Sequence, residues 1–402
     1  MKKSNLSFLF FAFVFQFCTD SGLNDSIIAI DSPAGENSEE PYLTKGADGN
    51  LYLSWIERND NVATLKYAMW QDDSWSTPER IAEGSDWFVN WADYPAIAIN
   101  KSGDMIAHYL QKSDTATFSY DVKVVAKKAT DETWSSPIKL HSDTVNAEHG
   151  FVSMQPFDDG HFFLTWLDGR NTTSNINHSG HGSGTMTIRG ATIDADLNII
   201  KENELDNKTC DCCQTGATIV NNNPIAVYRD RLEGEIRDMS IVKYNNGNWS
   251  SPKTIYPDNW EIAGCPVNGP RISANNGSIA IAWFSVSNDL AQVKLIFSDD
   301  VGETFSTPIM VDDTTPFGRV DVDMLNNSTA IVSWLDKGDG EAEIKVAKYN
   351  RDGIIGKVIV VAQSKESRSS GFPQMAIHKE KIYFAWTDSQ KTNQILTASM
   401  IF

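Results

Sequence analysis

The residues best equipped for chemistry gather in the middle of the chain. Cys210-Asp211-Cys212-Cys213-Gln214-Thr215 brings three thiols into one short stretch, and Cys265 follows one repeat later. Such a set can pair as disulfides or, as thiolates, ligate a soft metal together with His178 or His181 from the Gly-rich stretch around Asn177 to His181. Adjacent Cys212 and Cys213 in an extended segment would point to opposite sides, which opposes joint ligation. Disulfides are therefore the expectation for Cys210, Cys212, Cys213 and Cys265, with no metal and no other cofactor. Arg170, Arg229, Arg231, Arg237 and Arg271 carry planar guanidinium forks that would suit an anionic ligand if they converge. Asp93, Glu148, Asp168 and Glu261 offer carboxyls, and Tyr228 a phenol, for proton transfer or nucleophilic attack.

Those residues need elements to position them, and the chain repeats. An aromatic residue, Ser, Ser or Thr, and Pro recur at Trp75-Ser76-Thr77-Pro78, Trp134-Ser135-Ser136-Pro137, Trp249-Ser250-Ser251-Pro252 and Phe305-Ser306-Thr307-Pro308. A second marker, an alternating strand ending in an aromatic residue, recurs at Leu51 to Trp55, Met105 to Tyr109, His161 to Trp166, Pro224 to Tyr228, Ser278 to Trp283, Thr329 to Trp334 and Lys381 to Trp386. Each has a strand before it and, after it, another carrying Lys or Arg in one phase: Lys66, Lys123, Arg189, Arg237, Lys294 and Lys345. Arg189 and Arg237 thus also read as ladder positions. Four antiparallel strands per unit predict an all-β fold, a single β-propeller of seven blades, with six as the alternative if one unit is irregular. The last unit lacks an outer strand, which Ser26 to Asp31 could supply, closing the ring. Asn171 to Gly184 is a polar insertion on one face. The start of each first strand, the end of each second and the start of each third share a face, so all the candidates above surround one mouth.

Ser298-Asp299-Asp300-Val301-Gly302-Glu303-Thr304-Phe305 resembles the Asp box of the sialidase superfamily, with Phe for the usual Trp, and the turns ending in Trp75, Trp134 and Trp249 look like eroded copies. The segment Cys210 to Thr215, with Tyr228 to Arg231, Glu235 to Asp238 and Cys265 to Pro270, also resembles a bacterial group of exported sialidase-like proteins. The resemblance implies a structural Asp box on the far face, an Arg cluster for a sugar carboxylate, an Asp acid/base and a Tyr activated by Glu. The Arg-bearing signature that opens the first blade in that family is absent: Glu40-Pro41-Tyr42-Leu43 stands there. The expectation is an exported propeller that binds, and as an enzyme hydrolyses, an acidic glycan at an Arg-lined mouth. The alternative is a non-catalytic module for a glycan or cell-surface protein.

The net charge of −19 opposes binding of bare phosphate backbones, so no nucleic-acid partner is expected. Residues 1–18 read as a signal peptide, basic at Lys2 and Lys3 and apolar from Leu6 to Phe17, too short to span a bilayer. Cys18 stands where a bacterial lipoprotein carries its lipid, although Phe17 replaces the usual small residue. Residues 19–25 would then be a tether, 26–402 the propeller, and the location the periplasm or outer membrane, with membrane contact through the lipid alone.

Overall fold

The computed structural model describes residues 26–172 and 184–402, and no helix among them is long and apolar enough to cross a membrane. The leader, Cys18, His178 and His181 lie outside the described residues. Seven antiparallel sheets form a seven-bladed β-propeller. The first strands of blades one to seven are Ser38–Lys45, Ile97–Ile99, His149–Pro156, Gly216–Val220, Arg271–Asn275, Gly318–Asn326 and Gln374–His378. The ring closes as the sequence predicts: Ile28–Ile30 pairs antiparallel with Gln394–Ile401, Ile28 opposite Ser399, and completes blade seven.

The repeats now have physical causes. In each aromatic-Ser-Pro segment the serine brackets one residue at the end of the third strand. Ser76 N donates to Met69 O at 2.8 Å while Ser76 Oγ accepts Met69 N at 3.0 Å, and Ser135, Ser250 and Ser306 do the same with Ala126, Lys243 and Phe297. Proline two residues on begins the outermost strand, where a missing N–H costs no ladder bond. Four of the five tryptophans that end second strands are buried between sheets and satisfied at Nε1: Trp55 by Glu57 (2.9 Å), Trp166 by Asp168 (2.8 Å), Trp283 by Asp258 (2.7 Å) and Trp334 by Asp312 (2.7 Å). Lys66, Arg189, Lys294 and Lys345 lie directly across the ladder from these four rings. Three of them neutralise a carboxylate of the same cluster, Lys66 with Glu57, Lys294 with Asp258 and Lys345 with Asp336, and Arg189 pairs with Glu202. At these four positions the Lys/Arg phase is structural, whereas Arg237 precedes its third strand, Met239–Asn245, and is not a ladder residue.

The Ser298 to Phe305 turn joins the third and fourth strands of blade five. Asp300 accepts Thr304 N at 2.8 Å and Thr304 Oγ1 at 2.6 Å, Ser298 Oγ accepts Gly302 N at 2.9 Å, and Gly302 takes φ 78°. Connectivity puts this turn on the face away from the mouth.

Candidate functional site

The loops leading into the first strands meet around the axis and enclose a cavity of about 250 Å³. Its wall includes Phe88, Trp91, Phe118 and Phe151, and its polar groups are Asn90, Asp93, Tyr120, Glu148, Asp211, Cys212, Cys265 and Arg368. These come from the approaches to blades two, three, four, five and seven, together with the turn before the third strand of blade two. They share the face that strand direction assigned to chemistry.

Three residues at the floor form a connected acid group. Tyr120 opens the third strand of blade two and bridges in parallel to Glu148 of the next blade. Its hydroxyl lies 2.8 Å from Glu148 Oε1 and 3.4 Å from Asp93 Oδ2. Phe88 stacks on its ring at 4.1 Å and fixes its orientation. Asp93 is held from the other side by Phe151 N, 2.6 Å from Oδ1. That bond exists because the first strand of blade three bulges between Gly150 and Ser153 and turns Phe151 to φ 55°, a conformation costly for a bulky residue. Gly150 is obligatory, since a Cβ there would stand 2.0 Å from Asp93 Oδ2 and 3.1 Å from Tyr120 Cε2.

The electrostatics follow from enclosure. Burial pushes Asp93 up to about 7, against the hydrogen bonds from Phe151 and Tyr120. Burial likewise lifts Glu148 to about 8, with the Tyr120 hydrogen bond opposing and the neighbouring Asp93 and Asp211 assisting. Burial and the two carboxyls hold the Tyr120 phenol far above its usual range. The three behave as one coupled group that retains a proton near neutrality.

Of the residues expected from sequence, Asp93 and Glu148 therefore meet in the cavity. Glu261 is exposed, in the bridge between Ile236 and Glu261. Tyr228 donates to Asp206 at 2.6 Å and does not line the cavity. Asp168 is fully buried in a blade interface, accepting Trp166 Nε1 and both forks of Arg170 at 2.7 Å. Arg170 also reaches Glu202 and Asp143, and the stacked rings of His141 and His149 complete that cluster, 3.7 Å apart.

The other arginines are also engaged internally. Arg229, 1% exposed, donates to the carbonyls of Asn268, Arg237 and Phe284 and stacks on Trp260. Arg231 forks onto Glu235, which also takes Arg237. Arg271 lies over Tyr94, hydrogen-bonded to its hydroxyl, near Gln374 and Asp321. Sequence reasoning missed Tyr120, Arg319 and Arg368. Arg319 lies over Trp91 and is held by the carbonyls of Ser367 and Gly371. Arg368 is exposed at the rim.

The cysteines sit beside this floor. No disulfide joins them: Cys210 Sγ and Cys213 Sγ are 3.7 Å apart, beyond the ~2.05 Å of a bond. Asp211 and Cys212 form a bend rather than the extended segment expected, so the three sulfurs of Cys210, Cys212 and Cys213 face one another, all within 4.8 Å. The Cys265 loop is adjacent, as blade order requires: Gln214 Oε1 accepts Gly269 N at 3.0 Å.

The phage phi92 endosialidase superposes with a TM-score of 0.51, at 10% identity over 94% of this chain and 69% of that one. This chain shares a β-propeller fold with it. Two further solved structures are similar more loosely. The NanB sialidase from Streptococcus pneumoniae matches at TM-score 0.45, 14% identity, over 92% of this chain and 69% of that one. The Hadza microbial sialidase Hz136 matches at 0.44 and 11% over 74% of this chain and 63% of that one, so the propeller spans less than two thirds of its length. No protein-family model and no curated protein matches the sequence. At such identities the likeness is one of propeller architecture alone.

Proposed function

We propose that the cavity hydrolyses the terminal residue of an acidic glycan. The observation that carries this is the Tyr120 hydroxyl poised between Glu148 and Asp93, at 2.8 and 3.4 Å. The likeness to sialidases lends the reading its roles, and the side chains supply its chemistry. Glu148 takes the Tyr120 proton as the phenolate attacks the anomeric carbon, and Asp93 gives its proton to the departing oxygen. Water then releases the sugar from Tyr120, with Asp93 as the base. The phenyl and indole rings of the wall take the apolar face of the sugar. Arg368, and Arg319 behind it, supply positive charge for an acidic substituent, in place of the five arginines named from sequence. Export, and a lipid on Cys18, belong to the same proposal.

The active form has Asp93 protonated and Glu148 ionised. With Asp93 near 7 and Glu148 near 8, this form is a minor fraction at every pH and is most abundant between the two values, so kcat/KM should pass through a maximum between about pH 7 and 8. The test is a glycan array and a hydrolysis screen of acidic glycosides with the protein, Tyr120→Phe and Arg368→Ala. Turnover lost in Tyr120→Phe with binding retained supports the reading. Glycan binding without turnover by the unmodified protein favours a binding module instead. Neither binding nor turnover overturns both.

A further inference from the structure

We propose that Cys210, Cys212 and Cys213, with Cys265 as the fourth ligand, hold a single zinc ion in the wall of the mouth cavity. The inference stands apart from the hydrolytic reading.

The sulfur geometry is the first argument. Thiolates around zinc lie on a tetrahedron with bonds of about 2.3 Å, whose edges are therefore about 3.8 Å. Cys210 Sγ and Cys213 Sγ are 3.7 Å apart, and Cys212 Sγ completes a triangle within 4.8 Å. Cys265 interacts with Cys212 from the neighbouring loop and lines the same cavity. A disulfide requires a separation of about 2.05 Å, so the two sulfurs would have to close by more than an ångström and a half.

The surroundings suit a negatively charged complex. Four thiolates on one divalent ion carry an excess of negative charge, which a buried site must offset. The Arg229 guanidinium faces Cys213 and donates its hydrogen bonds to neutral carbonyl oxygens, with the Asp238 carboxyl also in its field. Arg237 faces Cys210. The Asn268 N–H points at Cys213, the kind of outer contact that orients a ligand sulfur. The two loops are also pinned before any ion arrives. Gln214 bridges Ala92 O (2.6 Å) and Gly269 N (3.0 Å), and a Cβ at Gly269 would stand 2.0 Å from Gln214 O. Such a site is preorganised. Its ion would tie the approaches to blades four and five together and hold the Asp211–Cys212 side of the cavity in place.

Binding converts four thiols to thiolates and releases their protons, so affinity rises with pH. The experiment begins with the full chain, reduced, freed of metal by a chelator and exchanged into metal-free buffer. Cobalt(II) is added as a spectroscopic probe, then zinc in competition. The expected result is one equivalent of cobalt with intense tetrahedral d–d bands and a thiolate-to-metal charge-transfer band, bleached by one equivalent of zinc. The thiols should react with a disulfide reagent before zinc and resist it afterwards. Cys265→Ser, at an exposed position, should keep the equivalent but shift the cobalt bands toward a three-sulfur, one-oxygen set, and Cys213→Ser should lose tight binding. Cobalt uptake without a charge-transfer band overturns the proposal. So does an intact mass four hydrogens lighter in unreduced protein that takes up no zinc, which would mean two disulfides.

Discussion

Replacing Asp93 with Asn should stabilise the fold while ending turnover. Asp93 is 2% exposed, and burial raises its carboxyl from 3.8 to about 7. The folded protein therefore keeps a proton that the unfolded chain gives up from about pH 4. The associated stability is fully present below that pH and is lost as pH rises through about 7. At ~1.4 kcal/mol for each pH unit between the two values the loss totals roughly 4 kcal/mol, of which roughly 2 to 3 falls between pH 5 and pH 8. Asparagine has the shape of the protonated acid. Its Oδ1 can accept Phe151 N, its amide can donate toward Tyr120, and it never ionises. Urea unfolding of both proteins at pH 5 and pH 8 makes the comparison, with equal m-values required. The Asn variant should gain on the wild type by roughly 2 to 3 kcal/mol between the two conditions. A variant that is equally destabilised at both pH values would refute the reasoning, because Asp93 would then be an ionised, well-paired carboxylate.

Two further substitutions separate floor from frame. Gly150→Ala puts a methyl group 2.0 Å from Asp93 Oδ2, so overpacking should cost ~1–3 kcal/mol in chemical denaturation and displace the acid group, removing turnover. Arg170→Ala strands the fully buried Asp168 and should cost on the order of 3 kcal/mol, with glycan affinity of the folded protein unchanged; lower affinity at unchanged stability would restore its place as a ligand.

The blades were legible because each repeat has a local cause. A serine bracketing one residue, a proline starting an outer strand and a Trp opposite a Lys are all short-range patterns, and their phase assigned Asp93 and Glu148 to the right face. What stayed hidden depends on neighbours distant in sequence. Tyr120 has no motif; its meaning comes from Glu148, one blade on. Phe151 gives no sign of a left-handed backbone, which sequence announces only at Gly, Asn or Asp. The arginines looked like a ligand cluster because sequence shows charge and not pairing: Glu202, Glu235 and a set of backbone carbonyls take up most of them. The approach of the cysteine sulfurs was hidden in the backbone, since a bend at Asp211 and Cys212 turns sulfurs together that an extended chain would separate.

Strain supports placing function at this end of the axis. Glu40, Phe151 and Arg319 all have positive φ, at 58°, 55° and 48°. Each lies in a bulge of a first strand, in blades one, three and six, where the register slips between Glu39 and Tyr42, Gly150 and Ser153, and Gly318 and Asp321. Such conformations cost ~1–3 kcal/mol each and persist only where the surroundings over-determine them. All three bear on the mouth: Phe151 binds Asp93, Arg319 backs Trp91, and Asp93 lies close enough to Glu40 to help raise the Glu40 carboxyl. Glu40 stands where the sialidase resemblance would put an arginine. Burial, with Glu39 beside it, holds its carboxyl well above the usual range. An acidic sugar at this mouth would meet the exposed Arg368 on the blade-seven side of the cavity. As the one cation of that lining among the described residues, it sets the end at which the acidic group of the proposed substrate must lie.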